Sequence, residues 1–220
     1  MTRRLRIEWT SGSKVTGLLA GPGEGSTGVL LAHGAGVGQR HPFMDGLRRR
    51  LGAADLATLS FDYPYMEAGR RAPDRLDRLV ACHAAAYERL AERVDSVIVA
   101  GKSMGGRVGG HFVAETDADA AGLMFFGYPL VPLGKTEPRD VSHLLTSLVP
   151  MLFIQGERDR LGPPDLVRRV ADRAPSASLV VVADADHGFS VPKRTGLHRN
   201  DMLDLLTDLT VGFIASVTGP

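Results

Sequence analysis

Short, almost unbroken apolar runs alternate along this chain with longer stretches in which apolar residues recur every three to four positions. The short runs cover residues 28–33, 56–61, 97–100, 121–126, 151–154 and 179–182. Strands covered on both faces carry such runs, because successive side chains point to opposite sides of a sheet and both sides are then dry. Residues 5–10 and 15–20, parted by Ser11-Gly12-Ser13, predict an opening β-hairpin. Helices are predicted over about 43–51, 74–93, 105–114, 164–172 and 200–216. In the second, Leu76, Leu79, Val80, Ala84, Tyr87 and Leu90 make one inward stripe, while Arg75, Arg78, Glu88 and Arg89 face water. A hairpin followed by strand–helix units with right-handed crossovers predicts an α/β fold: a mostly parallel, eight-stranded, doubly wound sheet with helices on both faces. Residues 1–220 read as a single domain without repeats or linkers. The longest irregular stretch, 127–149, holds Pro129, Pro132, Gly134 and Pro138; it suits a short lid or helical turn and is too short for a cap domain.

Composition narrows the partners. Hydrophobic residues make up 44% and charged residues 23%, enough apolar surface to cover such a sheet on both faces. The 26 basic and 25 acidic residues leave a formal charge of +1, so no field holds a polyanion and nucleic acid is not expected as a partner. Most basic residues are arginines spread through the helical stretches, as on solvated helix faces. Cys82 is alone, which excludes an intrachain disulfide and paired-cysteine metal sites and fits a reducing compartment. Arg3-Arg4-Leu5 leads to Glu8 and Trp9 rather than to a signal-length apolar run, and no stretch approaches the ~18 apolar residues of a membrane span. The expectation is a cytoplasmic protein with no membrane partner.

The chemistry gathers at strand ends. Gly101-Lys102-Ser103-Met104-Gly105 matches G-x-S-x-G directly between a predicted strand and a predicted helix, the context that motif requires. A serine on a sharp turn there lifts its hydroxyl clear of the sheet, and side chains at the flanking glycines would strike the backbone. The rival reading is a helix-capping serine. A phosphate-binding G-x-x-x-x-G-K-[ST] loop is excluded because position 96 is Ser96, and Gly34-Ala35-Gly36 fails as a dinucleotide fingerprint because its third glycine falls on Gln39. Serine needs a base, and the base needs an orienting acid. Asp159 follows the run 151–154 and His187 follows the last strand, so both belong at the carboxyl edge of the sheet with Ser103. Glu157, Asp184 and Asp186 are rival acids, but Asp186 adjoins His187 and reaches its far nitrogen poorly. His33 is read as holding its loop, and His41, His83, His111, His143 and His198 as surface or helix-packing residues. None has metal-ligand spacing.

Together, the G-x-S-x-G turn, His33-Gly34-Ala35-Gly36 and the order Ser103, Asp159, His187 resemble the α/β-hydrolase superfamily over nearly the whole chain. The resemblance implies a single-domain α/β-hydrolase fold and an oxyanion hole made by the backbone N–H groups of Ala35 and Met104. More narrowly, the segment from Phe61-Asp62-Tyr63-Pro64-Tyr65-Met66 to Arg70-Arg71-Ala72-Pro73-Asp74 is similar to one in the KANL/Tex hydrolase-like family, within the dienelactone-hydrolase-like group. Dienelactone hydrolase proper uses a cysteine nucleophile, so its lactone chemistry does not transfer to Ser103. Because the segment starts at the end of a strand, Tyr63, Tyr65 and Met66 are expected to line a substrate pocket, with Arg70 or Arg71 meeting a carboxylate; the alternative is that they only pack the loop. The expected activity is a cofactor-independent, metal-independent serine hydrolase of carboxylesterase or thioesterase type on a small ester. Acyl transfer and peptide hydrolysis share the triad, and a hydrolase-fold binding or scaffold protein is the alternative.

Overall fold

The computed structural model describes residues 2–116 and 118–219. Its strands are β1 (Arg3–Thr10), β2 (Ser13–Ala20), β3 (Gly25–Ala32), β4 (Ala57–Phe61), β5 (Val94–Lys102), β6 (Ala120–Phe126), β7 (Met151–Gly156) and β8 (Ala177–Val182). They form one eight-stranded sheet in the order β1-β2-β4-β3-β5-β6-β7-β8. The β1–β2 hairpin is antiparallel, β2 runs antiparallel to β4, and every other neighbouring pair is parallel.

The unbroken apolar runs are explained by which helix each side chain meets. Helices α1 (Pro42–Ala53) and α7 (Arg199–Thr218) cover one face; α3 (Leu76–Ala91), α4 (Met104–Glu115) and α6 (Pro164–Ala171) cover the other. Val29, Leu31, Ile98, Ala100, Met124 and Phe126 point to the first face, and Leu30, Val99, Leu123 and Phe125 to the second. Alternation by one residue therefore fills two separate cores from the same strands. At about 25 cal/mol per Å² of apolar surface removed from water, these two layers dominate the stability of the domain.

Three local expectations need adjustment. β8 is an edge strand, and its residues Leu179, Val180 and Val181 stay partly exposed although their sequence reads as fully buried. The long helix is shorter than 74–93, since Arg75 is still extended at φ −61° and ψ 156° and the helix ends at Ala91, and its inward stripe also takes in Cys82, His83 and Ala86. The segment after β4 contains a further one-turn helix, α2 (Pro64–Glu67), begun by Pro64 at its first position. In residues 127–149 a single turn, α5 (Ser142–Leu145), forms, while Leu130 and Leu144 are buried in the second core.

Candidate active site

Chain order and strand order reverse at β3, whose neighbours are β4 on one side and β5 on the other. Loops leaving the carboxyl ends of β3 and β5 diverge there and open a crevice, the general position of ligand sites in open α/β sheets. Ser103 stands at this point, between the end of β5 and the first residue of α4. Its backbone has φ 52° and ψ −117°, a conformation that costs a side-chain-bearing residue on the order of 1–3 kcal/mol. The neighbouring glycines make the turn possible. A Cβ on Gly101 would lie 2.3 Å from backbone atoms of Gly105 and Gly106, and one on Gly105 would lie 2.4 Å from the Ala32 carbonyl oxygen.

The Ser103 hydroxyl lies 2.9 Å from His187 Nε2, and His187 Nδ1 lies 2.7 Å from Asp159 Oδ2. An ionised carboxylate only accepts, so Nδ1 carries the imidazole proton and Nε2 is left to accept from the serine hydroxyl. Asp159 is 2% exposed, but its charge is well supported. Its Oδ2 also accepts from Gln155 Nε2 at 2.6 Å, and its Oδ1 accepts from the amides of Leu161 at 2.8 Å and Gly162 at 3.2 Å. The rival acids serve their own loops: Asp186 accepts from the amides of Gly188 and Ser190, and Glu157 accepts from the amide of Asp184.

Ala35 and Met104 lie beside Ser103 in the wall of a cavity of about 510 Å³. Met104 opens α4, so its N–H has no intrahelical partner, and neither amide joins a turn or loop hydrogen bond among the described residues. The loop that carries Ala35 is pinned from beneath. His33 donates from Nδ1 to the Gly34 carbonyl at 2.8 Å and accepts the Tyr63 N–H at Nε2 at 3.1 Å; burial holds its pKa below the usual value and keeps the ring neutral. Gln39 ties the far end of the loop to Asp62, Thr16 and Ser60.

The structure does not place Tyr63, Tyr65, Met66 or Arg70 in the cavity wall. Glu67 bonds to Arg6 at 2.6 Å and to the Thr16 amide at 2.9 Å, which draws α2 towards the hairpin. Tyr63 and Tyr65 consequently pack under the His33 loop, fully buried, with the Tyr63 hydroxyl 3.0 Å from His83 Nδ1. Met66 is half-buried against the core, and Arg70 pairs with Asp74 at 2.7 Å. The wall is built instead from other groups, among them Lys102, Arg107, Arg139 and Leu161. For Arg107 a signal existed: residues four apart share a helix face, and Arg107 stands four after Ser103. Nothing in the sequence singles out Gln155. Among the described residues no cluster of three or more His, Cys, Asp or Glu side chains is placed to hold a metal ion, and no helix is long and apolar enough to cross a membrane.

Comparison with known proteins agrees with this architecture. A family described as an alpha/beta hydrolase domain matches residues 25–215. Est1E from Butyrivibrio proteoclasticus superposes with a TM-score of 0.76 at 15% identity, covering 99% of each chain. The dienelactone hydrolase from Anabaena variabilis gives 0.77 at 20% identity, over 99% of this chain and 98% of its own. An esterase from Pyrococcus furiosus gives 0.77 at 17% identity, over 100% of this chain and 91% of its own. No curated protein matches the sequence.

Proposed function

Starting from the fact that this chain belongs to the alpha/beta hydrolase domain family, we propose that it is a serine hydrolase that cleaves small carboxylic esters or thioesters through an acyl-enzyme. The observation that carries this reading is the continuous hydrogen-bond path from Ser103 Oγ through the His187 ring to Asp159.

In the first half-reaction Ser103 Oγ bonds to the substrate carbonyl carbon as its proton passes to His187 Nε2. Asp159 holds the ring in that tautomer and offsets the imidazolium charge. The Ala35 and Met104 N–H groups receive the oxyanion, and each such donor contributes about 3–4 kcal/mol to lowering the barrier. The carbon–oxygen or carbon–sulfur bond breaks, and His187 returns its proton to the leaving group. Water then bonds to the acyl carbon as it gives a proton to His187, the bond from that carbon to Ser103 Oγ breaks, and His187 passes the proton to Oγ, which releases the acid and restores the enzyme. None of these steps draws on a metal or an organic cofactor.

Within the family, the segment from Phe61 to Asp74 favours the KANL/Tex-like branch of the dienelactone-hydrolase-like group. A lone, buried Cys82 fits a cytoplasmic location.

Covalent labelling by a fluorophosphonate probe tests the reading. The wild-type protein is expected to label, and Ser103→Ala to lose the label while unfolding within about 0.5 kcal/mol of wild type, since only a half-buried hydroxyl is removed. A Ser103→Ala protein that still labels would overturn it, and a wild type that never labels would favour a binding role on this fold.

A further inference from the structure

Most of the wall above Ser103 is apolar, with Val37, Phe43, Met44, Leu79 and Leu161 among its residues. Two guanidinium groups interrupt it. Arg107 stands one helical turn beyond Ser103 on α4, and Arg139 comes from the loop between β6 and β7. A half-buried cation ordinarily faces a carboxylate. Neither Arg107 nor Arg139 is in an ion pair with a carboxylate among the described residues; Arg139 Nε donates to the Pro129 carbonyl at 3.2 Å, and the titratable groups whose charge acts on Arg107 are Arg139, Tyr128, Tyr63 and His143, none of them a carboxylic acid. Both line one cavity, and burial first, then the like charge of Arg139, weaken the hold of Arg107 on its proton.

No acid near the cavity pairs with either arginine. Asp74 lines the same cavity; its Oδ1 pairs with Arg70 at 2.7 Å and its buried Oδ2 has no partner among the described residues. Asp140 adjoins Arg139 in the chain, yet its carboxylate takes the Ser142 amide at 3.0 Å and the Ser142 hydroxyl at 2.7 Å. Asp159 is bound by His187, Gln155 and two amides. The Tyr128 hydroxyl is buried and without a partner among the described residues, and the charges of Arg107 and Arg139 act on it. This corner of the site is one anion short.

We infer that the natural substrate is a monoester of a short dicarboxylic acid, whose free carboxylate sits on Arg107 and Arg139 while Ser103 attacks the esterified end. The inference rests on the hydrolase reading and narrows its substrate class. Placement on the acyl side follows from the two cores. Arg107 lies on α4, whose Val108 and Phe112 belong to the core under α3, α4 and α6. Phe189, two residues beyond His187, stacks on Phe43 in the core under α1 and α7. The leaving group must lie beside His187 Nε2 to receive its proton, which leaves the Arg107 side to the acyl group. Planar guanidinium groups suit a carboxylate through paired N–H donors.

Mono-p-nitrophenyl glutarate and p-nitrophenyl pentanoate test this, since they differ by a carboxylate in place of a terminal methyl. After correction for spontaneous hydrolysis, the wild type is expected to favour the charged ester in kcat/KM by at least about tenfold, and that ratio to fall about 10- to 100-fold in Arg107→Met and Arg139→Gln, mainly through KM. Arg139 is exposed, so Arg139→Gln keeps the test valid if Arg107→Met fails to fold. Equal use of the two esters by the wild type, or an equal loss on both in the arginine variants, would overturn the anion site. Calorimetric titration of glutarate into Ser103→Ala separates the layers. Binding that weakens on adding Arg139→Gln supports the anion site even if neither ester turns over, an outcome that would instead overturn the hydrolase reading. Turnover of both esters without glutarate binding overturns the anion site alone.

Discussion

Lys102, the residue before Ser103, is buried to 9% exposure, and its ammonium has no hydrogen-bond partner among the described residues. Only the ring of Phe189, 5.7 Å away, and the nearby carboxylates of Asp159 and Asp186 offset the lost water. Burial outweighs those charges and pulls its pKa down to about 8. In the unfolded chain the amine titrates near the usual lysine value of about 10.4, so the unfolded state binds more protons throughout the interval between. Stability therefore rises with pH across that interval, and the burial cost is fully present below about 8. Replacing the amine by an apolar chain of similar length removes that cost. Lys102→Met is expected to stabilise the protein at pH 7 by on the order of 3 kcal/mol, with the gain shrinking as pH rises to 9.5. Urea denaturation of both proteins at the two pH values measures it; a variant less stable at pH 7, or a gain independent of pH, would contradict a buried charge at this position. The lysine was visible in the sequence only as a residue that fails a phosphate-loop pattern. Its burial was not legible, because the direction of that side chain is decided by the Ser103 turn and by the Phe126–Gly127 backbone that closes over it, not by any local periodicity.

At the scale of elements, the turn from β5 to α4 concentrates the strain of the site in three residues. Ser103 takes a left-handed φ, and Gly101 and Gly105 let strand, turn and helix approach to distances no Cβ tolerates. Gly101→Ala would force an atom within 2.3 Å of the Gly105 and Gly106 backbone, which cannot give way by rotating a side chain. A destabilisation above about 3 kcal/mol is expected, with a matching fall in thermal midpoint. Gly212, whose surroundings leave open space on α7, supplies the control: Gly212→Ala is expected to stabilise by several tenths of a kcal/mol through helix propensity. Calorimetric scans of the two variants compare them directly, and a Gly101→Ala protein as stable as wild type would mean the turn is looser than described. Elements of this kind were readable from the sequence where two independent signals coincided. The motif fell between an apolar run and a helical stripe, so both the turn and its neighbours were anticipated. The one-turn helix α2 was not, because four residues carry no periodicity and its position is fixed by the contacts of Glu67 with Arg6 and Thr16, more than fifty residues away in sequence. That long-range clamp also explains why Tyr63 and Tyr65 support the His33 loop from below rather than facing the cavity.

For the whole molecule, the sheet order makes the site. With β3 between β4 and β5, the loops bearing Ala35 and Ser103 part at the carboxyl edge, while the loops after β7 and β8 bring Asp159 and His187 to the same edge from residues 56 and 84 further along the chain than Ser103. This convergence was legible in advance, since parallel strands place all such loops at one end. The wall opposite them was not, because it comes from residues 127–149, where no pattern predicts which side chains turn inward. That stretch forms one helical turn and leaves Leu133 88% exposed at the cavity rim, so among the described residues nothing larger than a loop stands over Ser103. Two consequences for catalysis follow. An open, largely apolar cavity of about 510 Å³ gains from each added methylene only while the acyl chain remains inside it. Each buried methylene is worth about 0.8 kcal/mol, so kcat/KM for neutral p-nitrophenyl esters is expected to climb up to about fourfold per carbon from acetate, level off at medium length, and fall for palmitate, whose chain must lie in water. With no cap to displace, the rate should also vary smoothly with substrate concentration through the point at which esters form micelles. A steady-state series from acetate to palmitate, each followed across its solubility limit, measures both. A rate that keeps rising through palmitate, or that jumps at the micellar threshold, would show that residues 127–149 move as a lid after all.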